Sequence, residues 1–578
     1  MTTINHLLNM DTNHSETIYH PCLEALDSLG FCTLKVFDDE QIEKLRSLYQ
    51  ENFGSKIIEQ LYSSHNSNPI EQSLKINSEI KNIVNESIQR ILPGFTFFIG
   101  HFVVKGAHVN KEFSLHQDWN IVDESKHRSY QVWIPLQLAC PTNGGIFVMP
   151  GSHRFLGNYR SGSYGIPVIR SEEKLKQLIT DIIVPPGNAL IYHNGLFHAS
   201  HPNTTDSDRI AVIANYVENS APTYYFHKNA EQERTELYAI TGEKLITHLQ
   251  ALEKGIIDES LTLFDTKAIC PTKNEEVGSA DLIVHYRNKV GKVNAAQLKQ
   301  LHVTVGSDLE QKLNQEGYAV IDLLDLATID LFKKEYNLHF GNLDRTPGRF
   351  TTLQDTDAVL KKQMHNFIVA NVDAPLRKYF KEFIIPVSQF YTKKAFTSGD
   401  IDLHADSTLL LNHQLEPHYA IWVPLIAVDS NNGALTIIPL SHKVNRAVFG
   451  SSFGGYHNHH TEWLRQYEVP MTLKAGQAVV FDNNLLHNST ANNTSIDRLC
   501  FTFRLTHFAS QYYSFFSEKM EEGSIDVSEE SHNYYMADDW DGNSKHLTGE
   551  YKGTFKNYLT KLPKEELKII LNSSIIEA

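Results

Sequence analysis

The sequence predicts a mainly β protein with flanking helices (α+β), built as two tandem domains of the double-sheet jelly-roll type. Three observations carry that expectation. A chain of 578 residues is too long for one ordinary core and suits two. Segment after segment of the first half recurs in order in the second, at an offset of 287 to 289 residues. The recurring segments are short, rich in Val, Ile, Phe, Tyr and Trp, and separated by Gly, Pro, Asn and Ser, as antiparallel strands joined by turns would be.

An offset of that length exceeds any solenoid period and indicates duplicated whole domains. Each copy opens on an alternating apolar strand that runs into a helix with acidic residues near its start, GFCTLKVFDDEQIEKL from Gly30 and GYAVIDLLDLATIDLF from Gly317. A strand around 102–105 matches one around 390–393. YQVWIPL, with Tyr130 and Trp133, then matches HYAIWVPL, with Tyr419 and Trp422. NGGIFVMPGSH (143–153) matches NNGALTIIPLSH (431–442), and PPGNALIYHNGLFHAS (185–200) matches KAGQAVVFDNNLLHNS (474–489). The register survives beyond these, where Tyr224 and Tyr225 meet Tyr512 and Tyr513. A helix-like stretch from Thr241 closes the first half, and a more polar region follows it. The expected organisation is a first domain over 1–260, a linker over 261–305 and a second domain over 306–578.

Composition bounds the function. Hydrophobic residues at 41% and charged residues at 21% describe a soluble globular chain. A net charge of −16 argues against nucleic acid or an anionic membrane as partner. No secretory signal or membrane-spanning stretch is expected, which points to the cytoplasm. The five cysteines (Cys22, Cys32, Cys140, Cys270 and Cys500) are scattered and are expected to be reduced thiols. Oligomeric state is not legible.

Among 29 histidines, His-x-Asp occurs twice, at His116-Gln117-Asp118 and His404-Ala405-Asp406, 288 residues apart. On a strand, alternation would point both side chains of such a unit to one face, so one strand could supply two ligands to one ion. The third ligand must come from a distant strand. In the first half His193, His198 and His201 compete for that role, and the repeat chooses among them. His198 aligns with His487, whereas His193 aligns with Asp482 and His201 with Thr490. Two histidines and a carboxylate suit Fe(II) and leave coordination positions open. A lone His-x-Asp is usually a surface hydrogen-bonding unit, but chance would have to produce two, each with its distal histidine at nearly the same spacing.

Eleven residues beyond each distal histidine stands an arginine, Arg209 and Arg498, and two beyond stands a serine, Ser200 and Ser489. Both arginines enter apolar runs, RIAVIANYV and RLCFTFRL, that read as buried strands. A buried arginine needs an anion, and its planar fork suits the far carboxylate of a small dicarboxylate that chelates the metal.

Taken together, H-x-D, a Trp 17 or 18 residues after its histidine, N-G-[GA] before P-[GL]-S-H, G-[NQ]-A, and a final H-x-S with Arg at +11 resemble the phytanoyl-CoA dioxygenase family. The resemblance covers roughly residues 25–225 and 312–512. It implies a double-stranded β-helix (cupin-like) fold and an Fe(II)/2-oxoglutarate-dependent dioxygenase that uses O2. It also implies iron on His116, Asp118 and His198 in one site, and on His404, Asp406 and His487 in the other. Arg209 with Ser200, and Arg498 with Ser489, would hold the co-substrate's distal carboxylate, with Trp133 and Trp422 lining its pocket. Because both aspartates are present, halogenation is disfavoured. The expected reaction is hydroxylation of an unactivated C–H bond in a small-molecule or carrier-bound metabolite, with two potentially active sites. Desaturation, epimerisation and ring formation stay open, as do a single catalytic domain with a structural or substrate-binding copy, and a metal-binding jelly roll without redox chemistry.

The copies diverge beside the aspartates, at Trp119 and Ser407, where substrate choice is expected to lie. Pro150-Gly151-Ser152-His153 becomes Pro439-Leu440-Ser441-His442, which could alter a turn. The second copy also carries GGYHNHHTEW (454–463), whose His457, His459 and His460 are expected to belong to a solvated loop.

Overall fold

The computed structural model describes residues 15–268 and 301–556, with residues 568 and 571. Short stretches inside these ranges are excepted, namely 55–57, 59, 155–158, 165–167, 170–177, 342–347, 355–356, 398–400, 413–414, 445–459, 517–523 and 532–548. Cys270, His457 and His459 lie outside the described residues, as does most of the expected linker. The chain forms two compact units, divided between Val293 and Asn294. The start of the region expected to link them is instead structured. Thr262–Ala268 is a strand paired with Arg234–Ala239, completing a three-stranded sheet that begins at Tyr224–Asn229.

The first unit holds a six-stranded antiparallel sheet in the order Phe31–Lys35, Asn188–His193, Ser129–Pro135, Arg209–Glu218, Phe95–Lys105, Leu61–Ser63. A five-stranded sheet accompanies it, in the order Val168–Ile169, Phe113–His116, His198–Ser200, Ile146–Val148, Thr180–Asp181. The second unit repeats the plan. Its larger sheet runs Tyr318–Asp322, Gln477–Asp482, His418–Pro424, Arg498–His507, Ser388–Lys393, Arg349–Thr351, with Phe383–Ile384 added on Arg498–His507. Its smaller sheet runs Ile401–His404, His487–Ser489, Leu435–Ile437, Val469–Pro470.

Helices cover the larger sheets for a reason written in their periodicity. Helix Ile70–Ile91 buries Ile76, Ile80, Val84 and Ile88, and helix Ala358–Leu376 buries Met364, Ile368, Val372 and Leu376. Each set recurs every four residues and forms one apolar stripe against its sheet. The helices that follow the opening strands start at Asp38 and Asp325, whose carboxylates accept from Gln41 N–H and Thr328 N–H.

Two of the repeated motifs turn out to be contacts of each other. Gly30 has φ +84 and Gly317 φ +88, and a Cβ at either would stand 2.4 Å from Nδ1 of His153 or His442. The glycine that opens each copy therefore admits the histidine of its own P-x-S-H motif. That ring's Nε2 reaches the chain just upstream, on the carbonyls of Asp27 (3.3 Å) and Asn314 (3.2 Å).

The structure also answers the Gly-to-Leu departure. Gly151 has φ 73 and Leu440 φ 68, so the turn survives with leucine in the left-handed region. Strain of about 1–2 kcal/mol follows, yet the Leu440 side chain is buried with Leu403, Ile438, Val444 and Leu464. A buried leucine is worth about 2–5 kcal/mol.

The cysteine expectation fails at one pair. Helix Ser15–Ser28 lies beside strand Phe31–Lys35, which brings Cys22 and Cys32 to a Cα separation of 5.6 Å, and they form a disulfide. Cys140 and Cys500 are free and buried.

Burial outweighs strain at position 440. Leu440→Gly should therefore lower stability by about 2 kcal/mol even though it relieves the backbone; denaturant unfolding measures it, and a stabilised variant would contradict this balance.

Candidate metal and dicarboxylate sites

In each unit the two strands that carry histidines lie side by side. His116 is the register partner of His198, and His404 of His487. The ring centroids are 4.3 Å apart in both pairs. The aspartates join them: Asp118 lies 3.8 Å from His116 Nε2 and 3.7 Å from His198 Nε2, and Asp406 lies 3.8 Å from His487 Nε2. Within each triad the ligand atoms fall within 4.8 Å of one another, close enough for one cation.

The aspartates do not arrive by strand alternation. The strands end at His116 and His404, and each aspartate stands two residues beyond. The bend is pinned by other bonds. Asp118 N–H donates to the Asn194 carbonyl (3.1 Å), and buried Arg160 donates Nε–H to the Asp118 carbonyl (2.6 Å) while pairing with Glu124. In the second unit Asn483 Nδ2 donates to the carbonyls of Asp406 and Ser407.

All four histidines are prepared in the same way. Each Nδ1 sits on the carbonyl two residues before it: Ser114 (2.9 Å), Leu196 (3.0 Å), Asp402 (2.7 Å) and Leu485 (2.9 Å). With the proton held there, the Nε2 lone pair is left for a metal. Burial, then the neighbouring imidazole, lowers His116 and His487 to about 4, so both are neutral near pH 7. His193 and His201 are placed elsewhere. His193 accepts from Gly195 N–H, and His201 pairs with Asp181 at 2.7 Å.

The arginines sit where a dicarboxylate could span from the triad. Arg209 pairs in register with Lys105, and Arg498 with Lys393, so two like charges stand directly opposite each other on adjacent strands. All four side chains are buried, at 2%, 1%, 1% and 0% exposure. Such a pair is unfavourable without an anion. Among the described residues, Nε and Nη1 of Arg209 and Nε of Arg498 have no hydrogen-bond partner. Each lysine reaches the serine beside the distal histidine, Lys105 to Ser200 Oγ at 2.8 Å and Lys393 to Ser489 Oγ at 2.9 Å. Both serine oxygens accept from lysine and keep their own protons to donate. Trp133 and Trp422 lie 5.4 Å from the guanidinium carbons of Arg209 and Arg498. Burial, reinforced by Arg209, pulls the Lys105 ammonium down to about 7. The donor set fits a carboxylate, and the triad fits Fe(II).

Triad, serine, arginine and tryptophan line one cavity in each unit, of about 530 Å³ in the first and about 120 Å³ in the second. The first extends past Trp119 to Phe98, Ile121, Leu245 and Leu249. Ser407 does not line the second cavity, although it follows Asp406 as Trp119 follows Asp118.

Several residues around the sites escaped the sequence reading. Lys105 and Lys393 end the matched strands. Tyr192 OH lies 3.4 Å from His198 Nε2, while Phe481 takes the corresponding place. Gln131 donates to Asp118 Oδ2 at 3.2 Å, and Arg504 pairs with Asp406 Oδ1 at 2.5 Å. Burial alone would raise the Asp406 carboxyl, but Arg504, His487 and His404 together hold it below its ordinary value.

With this geometry in view, the relatives can be placed. The family model for phytanoyl-CoA dioxygenase (PhyH) matches residues 51–211 and 313–500, more than half of the chain. The chain belongs to the phytanoyl-CoA dioxygenase family. Among the family's curated proteins, phytanoyl-CoA dioxygenase domain-containing protein 1 of Danio rerio is 26% identical over 170 residues, 27% of this chain and 56% of that protein. Phytanoyl-CoA dioxygenase 1 of Oryza sativa subsp. japonica is 27% identical over 150 residues, 25% of this chain and 52% of that protein. The chain thus spans about half the length of the curated relatives it matches. Among solved structures, EctD from S. alaskensis with 2-oxoglutarate and 5-hydroxyectoine is 19% identical, covering 35% of this chain and 76% of that one. Its TM-score of 0.25 is too low to carry an argument. Among the described residues no helix is long and apolar enough to cross a membrane.

Two outcomes follow from this geometry. Arg209→Ala or Arg498→Ala should weaken 2-oxoglutarate binding at its own site roughly 100-fold, about 3 kcal/mol. Calorimetry with Mn(II) in place of iron reads this, and unchanged affinity in both variants would contradict it. The second outcome concerns pH. His65 and His365 are lowered to about 4 by burial, and His101 is held well below its ordinary value by burial and by His65. Unfolding raises these groups toward an ordinary histidine value of about 6.5. Their share of the stability is therefore present above about pH 6.5 and is lost as pH falls toward 4. Thermal melts between pH 7 and 4 should show a falling midpoint, and a flat profile would contradict it.

Proposed function

We propose that this chain is a tandem-domain Fe(II)/2-oxoglutarate-dependent dioxygenase with double-stranded β-helix (jelly-roll) domains over roughly 1–260 and 306–578, hydroxylating an unactivated C–H bond of a small or carrier-bound metabolite. The observation that carries the reading is the coincidence, in each unit, of a two-histidine, one-carboxylate triad with a buried arginine, set opposite a buried lysine, that keeps a donor without a hydrogen-bond partner among the described residues. A non-redox metal module would have no use for that second feature.

His116, Asp118 and His198 would hold iron in the first domain, and His404, Asp406 and His487 in the second. Arg209 and Lys105, with Ser200, would receive the distal carboxylate of 2-oxoglutarate, and Arg498 and Lys393, with Ser489, would do so in the second. When bound, iron, 2-oxoglutarate and O2 supply the oxidation. The protein's own work is positioning. Backbone carbonyls fix the histidine tautomers, and Gln131 steers one oxygen of Asp118. Trp133 closes one flank of the guanidinium. The apolar wall of Phe98, Ile121, Leu245 and Leu249 excludes water and suits a substrate with a sizeable hydrocarbon surface.

Anaerobic addition of Fe(II) and 2-oxoglutarate should give a metal-to-ligand charge-transfer band from two chelates per chain, falling to one in His116→Ala and in His404→Ala. No band in the wild type would overturn the oxygenase reading.

A further inference from the structure

The two centres differ by an exchange between paired residues. In the first domain Gln131 and Asn215 are register partners on neighbouring strands. At the corresponding places in the second domain stand Ala420 and Arg504, again register partners. Gln131 holds Asp118 with a neutral amide, and Asn215 turns away to Asn194 at 3.1 Å. With alanine at 420 there is no amide to hold Asp406. The long side chain from position 504 crosses to it instead and forms an ion pair at 2.5 Å, with Arg504 only 16% exposed. Each aspartate thus keeps one partner, but the partner in the second domain is a cation.

We propose that Arg504 makes the second centre a weaker divalent-metal site than the first, so that the chain loads its first centre before its second. The inference rests on the proposed function, because it takes both triads as metal sites. Three effects act in the same direction. The guanidinium engages Asp406 before any metal arrives and draws charge from its carboxylate. It also places a positive charge beside the position of a divalent ion. Finally its side chain forms part of the wall of the cavity around that position, as Gln131 and Asn215 do in the first domain without a charge. The opposing effect is orientation, since a held carboxylate binds metal better than a free one. Gln131 gives the first centre that benefit without the charge, so charge decides.

The test is Co(II) titration of the full chain, read by its visible absorption. His116→Ala leaves only the second centre and His404→Ala only the first. The second should bind at least tenfold more weakly, within the 10- to 100-fold range that residues behind metal ligands command. Adding Ala420→Gln with Arg504→Asn to the His116→Ala chain should bring its affinity to within about threefold of the first centre. Equal affinities in the two single variants would overturn the inference, as would a weak second centre unmoved by the exchange. No Co(II) binding in the wild-type chain would instead overturn the proposed function itself.

Discussion

Two positive charges, buried and opposed on neighbouring strands, are the constraint on which the rest of each domain depends. Arg209 faces Lys105, and Arg498 faces Lys393, at the same register of the same strand pair. A sheet does not gain by this arrangement, because like charges directly opposite each other repel and burial raises the cost. The pull of the Lys105 ammonium down to about 7 records that cost. Lysine is satisfied by the serine and a nearby carbonyl, while each arginine keeps at least one donor without a partner among the described residues. Such an arrangement would gain from an anion of carboxylate size placed against the arginine.

The metal triads complete that reasoning. The serine that lysine holds stands two residues from the distal histidine, so one hydrogen bond ties the cation pair to the strand that carries a triad ligand. A ligand bearing a carboxylate at one end and a chelating group at the other would bridge them. The scaffold serves this placement in both copies with the same devices. Carbonyls two residues back set each imidazole, and asparagines at 194 and 483 brace the bend that brings in the aspartate. A glycine at the start of each copy makes room for the P-x-S-H histidine.

Much of the site was legible because the chain contains its own alignment. Comparing the halves chose His198 over His193 and His201 and paired each triad with an arginine and a serine, and the structure brings those residues together around one cavity in each unit. The β-rich, two-unit plan was legible for the same reason. What escaped was cross-strand information. Lys105 and Lys393 were in the matched strands, but only register shows that they face the arginines. The exchange of Gln131 and Asn215 for Ala420 and Arg504 is two separate differences in the sequence, and becomes one event only when the strands are paired. The aspartates lie beyond their strands, where alternation no longer governs direction. Cys22 and Cys32, ten residues apart, met because a helix folds back on the next strand.

The most direct test of the account asks whether the buried cations exist for a second carboxylate. Calorimetry of the Mn(II)-loaded chain should compare 2-oxoglutarate with 2-oxobutyrate, which keeps the chelating end and lacks the far carboxylate. The account predicts that 2-oxoglutarate binds at least roughly 100-fold more tightly, about 3 kcal/mol. Equal affinity for the two acids would show that the cation pairs serve some other purpose, and would contradict it.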